Sequence, residues 1–412
     1  MTDRTPKNGR TPLAEPAVAS EAPSRRPIGI LGMGSYLPRQ IRTNEEVART
    51  AGVTADWISE RTGVRSRHTA APDEAASDLS AAALRAAVAA AGIDIDQLDL
   101  LIVATSTPDE LGPSTACRVQ ALTGARNAVA LDVGAACSGW LFATQVAHNW
   151  LTANPSARYA GVVGVEVYSK FVDPADRGTA VLFADGAAAS VLGPVPVGGG
   201  FEDFRLGSDG TGAHHVLIPA GGSRAPASTD TLGTLRHRIH MDGRAVRDFI
   251  SEIFPLIVSE TLVRNRIKLD DIDAFIVHQP NPVLLRTLGD RIGIPRDRML
   301  IVGNEVGNIG AASAPYALAS AAAQGLLPVG GRVLVAVFGA GLTWGGALLT
   351  WTGASSIRLA PTAAAQSAAR PPPLPSPNGR GSASGSLLPH ASAAHAAASA
   401  GQTSQPPKRS SS

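Results

Sequence analysis

Leu98-Asp-Leu-Leu-Ile-Val-Ala104 and Ile272-Asp-Ala-Phe-Ile-Val-His278 read as the same unit, a helix exit followed by a buried strand. Val103 and Val277 stand 174 positions apart. The same step carries Cys137 onto Ala311, in Gly307-Asn-Ile-Gly-Ala-Ala-Ser313, a small-residue turn before an Ala-rich helix. It also carries Val163 and Gly164 onto Val337 and Phe338, in the apolar run Val333–Phe338. Amphipathic helical stretches precede both strands, at Ala82–Ala91 and Val246–Asn265, and helical stretches holding Cys117 and Leu285 follow them. A period that persists through several elements marks a duplicated structural unit. Strand and helix alternate along both copies, with β-rich runs at Ala180-Val-Leu-Phe183 and Ala189-Ser-Val-Leu192. The expectation is an α/β body of mostly parallel sheets covered by helices. Ligands in such folds bind beyond the carboxyl ends of the strands. The repeat places Cys137, His278, Asn308 and the Gly339-Ala-Gly341 turn at that edge.

Cys137 lies in Leu131-Asp-Val-Gly-Ala-Ala-Cys-Ser-Gly-Trp140, where a short apolar strand runs through small residues into a helix. A cysteine in a first helical turn faces the positive end of the dipole, which favours the reactive thiolate. Gly134, Ala135, Ala136 and Gly139 let another molecule approach the sulfur. The plainer alternative is a buried structural cysteine. His278 ends a buried strand, and a hydrogen-bonded core histidine is its plainer reading. Asn308, in Glu305-Val-Gly-Asn-Ile-Gly310, can equally serve turn geometry. Together, Cys, His and Asn at converging strand ends suggest nucleophilic acyl chemistry.

Composition narrows the field. Only two cysteines occur in 412 residues, so neither a disulfide framework nor a CxxC metal site is available. Residues 1–26 are polar, lack the apolar core of a signal peptide, and are expected to be disordered, as is the Pro/Ser/Ala/Gly-rich segment 356–412. The ordered body is placed at 27–355, with a first half over 27–200 and a second over 201–355. No apolar window is long enough to span a membrane. A net charge of +2 gives no general sign of nucleic-acid binding. Few cysteines and no export signal suggest the cytoplasm.

Several segments resemble the β-ketoacyl-acyl-carrier-protein synthase III family. They are Thr54-Ala-Asp-Trp-Ile-Ser-Glu-Arg-Thr-Gly-Val-Arg65, the Ala-Ala-Cys-Ser-Gly-Trp segment, Asp173-Pro-Ala-Asp-Arg-Gly-Thr179, Ala184-Asp-Gly-Ala187, His278-Gln-Pro-Asn281, Gly307-Asn-Ile-Gly-Ala-Ala-Ser313 and Phe338-Gly-Ala-Gly-Leu-Thr-Trp-Gly345. They follow family order and cover essentially all of 27–355. The resemblance implies a thiolase-like αβαβα sandwich of two pseudo-symmetric halves, in agreement with the repeat. It implies a homodimer without a cofactor that acts in two steps. Cys137 takes the acyl group of an acyl-CoA; malonyl-acyl carrier protein then loses CO2 and its carbanion attacks the acyl-enzyme. The resemblance gives His278 and Asn308 to the decarboxylation, where two neutral N–H donors can stabilise an enolate. It gives the backbone N–H groups of Cys137 and Ala340 to an oxyanion hole. Trp57 and Arg177 resemble the pair that sandwiches the adenine of coenzyme A. Arg61, Phe183 and Gly112 fall with them in substrate binding. The plainer readings are a helix anchor for Trp57 and a surface charge for Arg177.

Two departures bear on substrates. Gly112 replaces an aromatic residue that bounds the acyl pocket in many relatives, which leaves room for longer or branched acyl groups. Val283 occupies a position where many relatives carry an Arg that contributes to carrier-protein docking. Arg286 and the cluster Arg236, Arg238, Arg244 and Arg247 can take over that role toward an acidic carrier, or form only a solvated face. The competing functions are acyl transfer to a hydroxyl or amine on the same fold, a Cys-His-Asn thiol hydrolase, and a non-catalytic carrier-binding module.

Overall fold

The apolar run of Leu98–Ala104 is continuous rather than alternating, and the computed structural model shows why: the strand is covered on both faces. The structure describes residues 26–353 and 357–358. The expected disordered ends lie outside the described residues, apart from Arg26, Ile357 and Arg358. Arg26 donates to the carbonyls of Leu151 and Ala157 at 2.8 and 2.6 Å, and Ile357–Arg358 pairs in parallel with the strand Ile28–Tyr36.

The first sheet runs, from one edge to the other, Ile357–Arg358, Ile28–Tyr36, Asp185–Pro194, Tyr159–Val167, Leu98–Ala104 and Val129–Val133. The second runs Gly200–Ser208, Thr343–Thr350, Arg332–Gly339 and Ala274–Val277. Its order repeats that of the four inner members of the first, strand for strand. The step of 174 holds in detail. The 3-10 turns Ala136–Ser138 and Gly310–Ala312 are equivalent, as are the starts of the helices Gly139–Ala153 and Ser313–Ala323.

Those two helices form the central layer. Trp140, Leu141 and Leu151 from one and Ala317 and Leu318 from the other share a core with Ile102 and Val162 of the first sheet and Ile276 and Val335 of the second. Helices Ala76–Ala91 and Thr115–Thr123 cover the outer face of the first sheet, and Gly243–Asn265 and Pro282–Arg291 that of the second. The result is the αβαβα sandwich expected from the sequence.

Two expectations need correction. The sheets are mixed, not mostly parallel. Asp185–Pro194 and Thr343–Thr350 run antiparallel to both neighbours, because the last strand of each half returns without a crossover helix. Ala180–Phe183 is a turn, and only Phe183 makes a single bridge, to Asn308. Its side chains are apolar because Val181, Leu182 and Phe183 line the cavity described below. No helix among the described residues is long and apolar enough to cross a membrane.

Candidate active site

A cavity of about 980 Å³ opens at the carboxyl ends of the strands, and Cys137, His278 and Asn308 all line it. Cys137 comes from the first half of the repeat and His278 and Asn308 from the second. The strand Val129–Val133 ends three residues short of Ala136, whose φ of 46° is rare for a residue with a side chain. That tight turn sets Cys137 at the head of the Gly139–Ala153 helix. Gly339, at the end of its strand, passes so close that a Cβ there would lie 2.8 Å from the Cys137 nitrogen. Only glycine allows this approach, which brings Ala340 beside Cys137. Thr343 fixes the arrangement, since its hydroxyl donates to the carbonyls of Ala135 (3.1 Å) and Ala340 (3.0 Å).

His278 follows the strand Ala274–Val277 and is 2 % exposed. Its backbone N–H extends the ladder to the Ala336 carbonyl at 2.9 Å, and its ring stands edge-on to Phe338 with centroids 5.5 Å apart. Its Nδ1 has no protein partner. Burial pulls the imidazole down to about 3, so it is neutral at ordinary pH. The rest of its motif is structural. Gln279 accepts from the N–H groups of Val302 and Gly303, and Asn281 caps the Pro282–Arg291 helix while donating to the Arg61 carbonyl.

Asn308 is tied at both ends of its peptide unit to the Phe183 segment. Its N–H donates to the Leu182 carbonyl (2.8 Å) and its carbonyl accepts from Ala184 (3.0 Å). The Gly310 N–H, which can only donate, holds Oδ1 at 2.9 Å. The donor side of the amide is thereby left to the cavity.

Cys137 departs from the thiolate expected of its helix position. Burial, with the neighbouring Glu166 carboxyl, pushes its thiol up to about 12. At rest the Cys137 sulfur is therefore a neutral thiol. Glu166 and Tyr168 complete this environment, and neither was singled out from the sequence. Glu166 is a lone acid in the otherwise apolar strand Tyr159–Val167, and that was the available signal. It is fully buried and accepts from the Ser106 N–H at 3.2 Å and the Thr107 hydroxyl at 2.8 Å. Burial raises it to about 8, so it holds a proton near neutrality. The Tyr168 hydroxyl lies 3.9 Å from Cys137 Sγ, and its ring packs on Phe183 with centroids 4.7 Å apart. Gly310, at φ 53°, is required beneath them, because a Cβ there would lie 2.5 Å from both Glu166 Cγ and Tyr168 Oη.

The structure also gathers Trp57, Arg61, Arg177, Phe183, Arg244, Arg247 and Ala340 around the cavity. Arg236, Arg238, Arg286 and Gly112 do not line it. Arg238 is occupied by the carbonyls of Lys170 and Val172, and Arg247 pairs with Asp248 at 3.0 Å. Gly112 lies on an exposed loop with nothing within 4 Å of its Cβ position. Cys117, whose apolar helical stretch reads as structural, is instead exposed on the helix Thr115–Thr123.

The buried neutral His278 has a consequence for stability. Its folded value, about 3, lies below the ordinary value of 6.5, so across that window the unfolded chain binds the extra proton. This contribution is complete above pH 6.5 and is lost as pH falls toward 3. The thermal midpoint of the wild type should therefore drop more steeply between pH 6.5 and 4.5 than that of His278→Gln. Parallel curves would show that the imidazole is not held neutral.

Comparison with known proteins gives one consistent result. Residues 131–210 match the family model of 3-oxoacyl-[acyl-carrier-protein] synthase III, and residues 262–351 match the model of its C-terminal part. The chain is 41% identical over 324 residues to the β-ketoacyl-[acyl-carrier-protein] synthase III of Syntrophomonas wolfei, covering 79% of this chain and 97% of that one. It is 42% identical, also over 324 residues, to the acetoacetyl-CoA synthase NphT7 of a Streptomyces species, covering 78% and 98%. The crystal structure of the Thermus thermophilus β-ketoacyl-[acyl-carrier-protein] synthase III aligns with a TM-score of 0.73 at 39% identity, covering 79% of this chain and all of that one.

Proposed function

This chain belongs to the 3-oxoacyl-[acyl-carrier-protein] synthase III family, and from that premise we propose how its residues carry out a decarboxylative condensation that starts fatty-acid or polyketide chains. The supporting observation is the convergence of Cys137, His278 and Asn308 on one cavity that Trp57, Arg61 and Arg177 also line. An acyl-CoA enters with its adenine between Trp57 and Arg177. Cys137 Sγ attacks the thioester carbon, and the developing oxyanion is held by the N–H groups of Cys137 and Ala340. The C–S bond to coenzyme A breaks, and the thiol proton ends on the departing sulfur. Malonyl-acyl carrier protein then binds with its thioester oxygen between His278 and Asn308. Its C–C bond to the carboxylate breaks, CO2 leaves, and the two N–H donors hold the enolate. The carbanion attacks the acyl carbon, and Cys137 leaves and regains a proton. Neutral His278 suits this role, since a donor of fixed position serves an enolate without a formal base.

A second reading concerns only the carrier of the malonyl group. Val283, exposed and lining the cavity, stands where the resemblance expects a carrier-docking Arg. One relative of equal similarity is named an acetoacetyl-CoA synthase. Malonyl-CoA is accordingly a candidate second substrate. The experiment loads the protein with a panel of acyl-CoAs, reads its intact mass, then adds malonyl-acyl carrier protein or malonyl-CoA. CO2 release with a β-ketoacyl product supports condensation, and the faster malonyl donor identifies the carrier. Acyl transfer to a hydroxyl or amine without CO2 would overturn it.

Tyr168 sets the size of the acyl group in this proposal. Its hydroxyl lies 3.9 Å from Sγ, beside the position an acyl group on the sulfur would take. Short donors such as acetyl should load at least about tenfold faster than octanoyl, since excluding even two CH2 groups forfeits roughly 1.6 kcal/mol of burial. Tyr168→Ala should narrow that gap, as read from loading rates. Equal loading of both donors by the wild type would reject this role.

The protein is further proposed to be a homodimer of the cytoplasm. Val129–Val133 is a sheet edge with half-exposed apolar residues, Val129 being 49% exposed, and Leu111 nearby in sequence is 85% exposed. Such an edge invites pairing with a second copy. Light scattering on the purified protein checks the mass. The free thiols of Cys117 and Cys137 suit a reducing compartment.

A further inference from the structure

Arg67 is the largest charge in the interior without a counter-charge. It sits on the short strand Ser66–Thr69, is 1% exposed, and makes no salt bridge among the described residues. Burying an ion this way is costly unless its hydrogen bonds are satisfied, and replacing it with an apolar side chain of similar volume often stabilises a protein. Its donors are spent on two acceptors. Nε and one terminal nitrogen converge on the Val181 carbonyl at 3.2 and 2.6 Å, and the other reaches Asn44 Oδ1 at 2.7 Å. Burial lowers the guanidinium to about 10, which leaves it charged at neutral pH.

What Arg67 grips is the segment on which Asn308 hangs. Val181 precedes Leu182, whose carbonyl receives the Asn308 N–H, and Ala184 returns a bond to the Asn308 carbonyl. The aliphatic part of Arg67 packs where a Cβ on Gly307 would lie, 3.2 Å from its Cγ, just before Asn308. Val181–Ala184 is a turn with no strand ladder of its own. Leu182 and Phe183 bond back to the Thr179 carbonyl, and the Val181 carbonyl is held by Arg67. Asn44, the other partner, donates to Ser59 Oγ and the Val64 carbonyl, both at 2.9 Å, and so joins Arg67 to the helix Ala55–Thr62 that carries Trp57 and Arg61.

We infer that Arg67 is a positioning residue for the decarboxylation step, holding the Val181–Ala184 turn so that the Asn308 amide meets the malonyl thioester oxygen. This rests on the reading of Asn308 given above. Arg67 does not line the cavity, and Asn44 keeps its own bonds to Ser59 and Val64 when Arg67 is replaced, so acyl loading is expected to survive the change. The geometry separates the two halves of the reaction at a residue outside the cavity.

The test compares wild type, Arg67→Met, Arg67→Lys, Asn308→Ala and the Arg67→Met/Asn308→Ala double variant. Two rates are read on each: acyl loading of Cys137 by intact mass, and CO2 release from a malonyl thioester. Arg67→Met should load like the wild type, which also shows that it folds, yet release CO2 about 10- to 100-fold more slowly, within the loss of about 10²–10³ expected for deleting an oxyanion-type donor. Arg67→Lys, which keeps the charge and one donor, should recover part of the rate. The double variant should be little slower than Asn308→Ala alone, because residues acting through one group are not additive. If Arg67→Met fails to load, Arg67→Lys decides in its place, with normal loading and slowed CO2 release expected. CO2 release at the wild-type rate in the deciding variant, or fully additive losses in the double variant, overturns the inference. Normal CO2 release by Asn308→Ala overturns the reading of Asn308, and this inference with it.

Discussion

Cys137→Ala is expected to take up no acyl group at all, while Cys117→Ala loads as the wild type does. Both residues are free thiols, and Cys117 is the more exposed, so exposure alone would favour the wrong one. The site decides otherwise. Of the two, only Cys137 lines the cavity, and Gly339, one residue before the cavity-lining Ala340, passes close to its backbone nitrogen. Its resting thiol, raised to about 12 by burial and Glu166, is a poor nucleophile toward general alkylating reagents. A thioester seated in the oxyanion hole changes this, since the proton can move as the C–S bond forms. Slow alkylation together with fast acylation is thus the expected signature. The measurement is intact-protein mass after brief exposure to acetyl-CoA. An adduct on Cys117, or full loading of the Cys137 variant, removes the basis of the mechanism.

His278→Ala and Asn308→Ala should hold an acyl group and then stall. The proposal gives both donors to the second substrate, and removal of one such donor typically costs about 10²–10³ in rate, or roughly 2.7–4 kcal/mol. Asn308→Ala should load at the wild-type rate. His278→Ala should load at a comparable rate, since the thiol proton leaves with the departing coenzyme A sulfur. CO2 release from the malonyl thioester is the rate to compare. Normal condensation by either variant refutes the assignment. A pH profile adds a check: with His278 held neutral down to about 3, no acid limb from its ordinary value near 6.5 should appear in the wild type.

The repeat was legible because it rests on apolar runs and small-residue turns, which any strand-turn-helix unit must keep. A step of 174 residues read from Val103 and Val277 located equivalent turns and helices to the residue. The same reasoning misjudged Ala180–Phe183, where apolar side chains serve a cavity wall and not a strand. Sheet direction was also out of reach, since an apolar strand reads alike whether it returns by crossover or by hairpin. Cys137 and His278 were legible as strand-end residues, whereas Asn308 follows the short helix Gly303–Val306 and not a strand. Glu166, Tyr168 and Arg67 were not legible, because each acts through burial and through contacts distant in sequence. The helix position of Cys137 was correct, but its chemical consequence was reversed by burial, which no local motif reports. Among the arginines, charge clustering could not separate Arg244 and Arg247 at the cavity from Arg238, whose guanidinium is spent on local carbonyls.

The pseudo-symmetry also sets how this molecule can change. At matching positions the first copy carries Ala104 and Cys137, and the second carries His278 and Ala311. In the proposed reaction each copy supplies part of the chemistry, and alanine stands at the matching position of the other. Capture of the acyl group then falls to the first unit, and handling of the incoming carbanion to the second. On this reading, a change from condensation to plain acyl transfer falls on the second unit and leaves the capturing unit untouched. Division of labour between duplicated units thus makes the acceptor reaction the freer of the two to diverge.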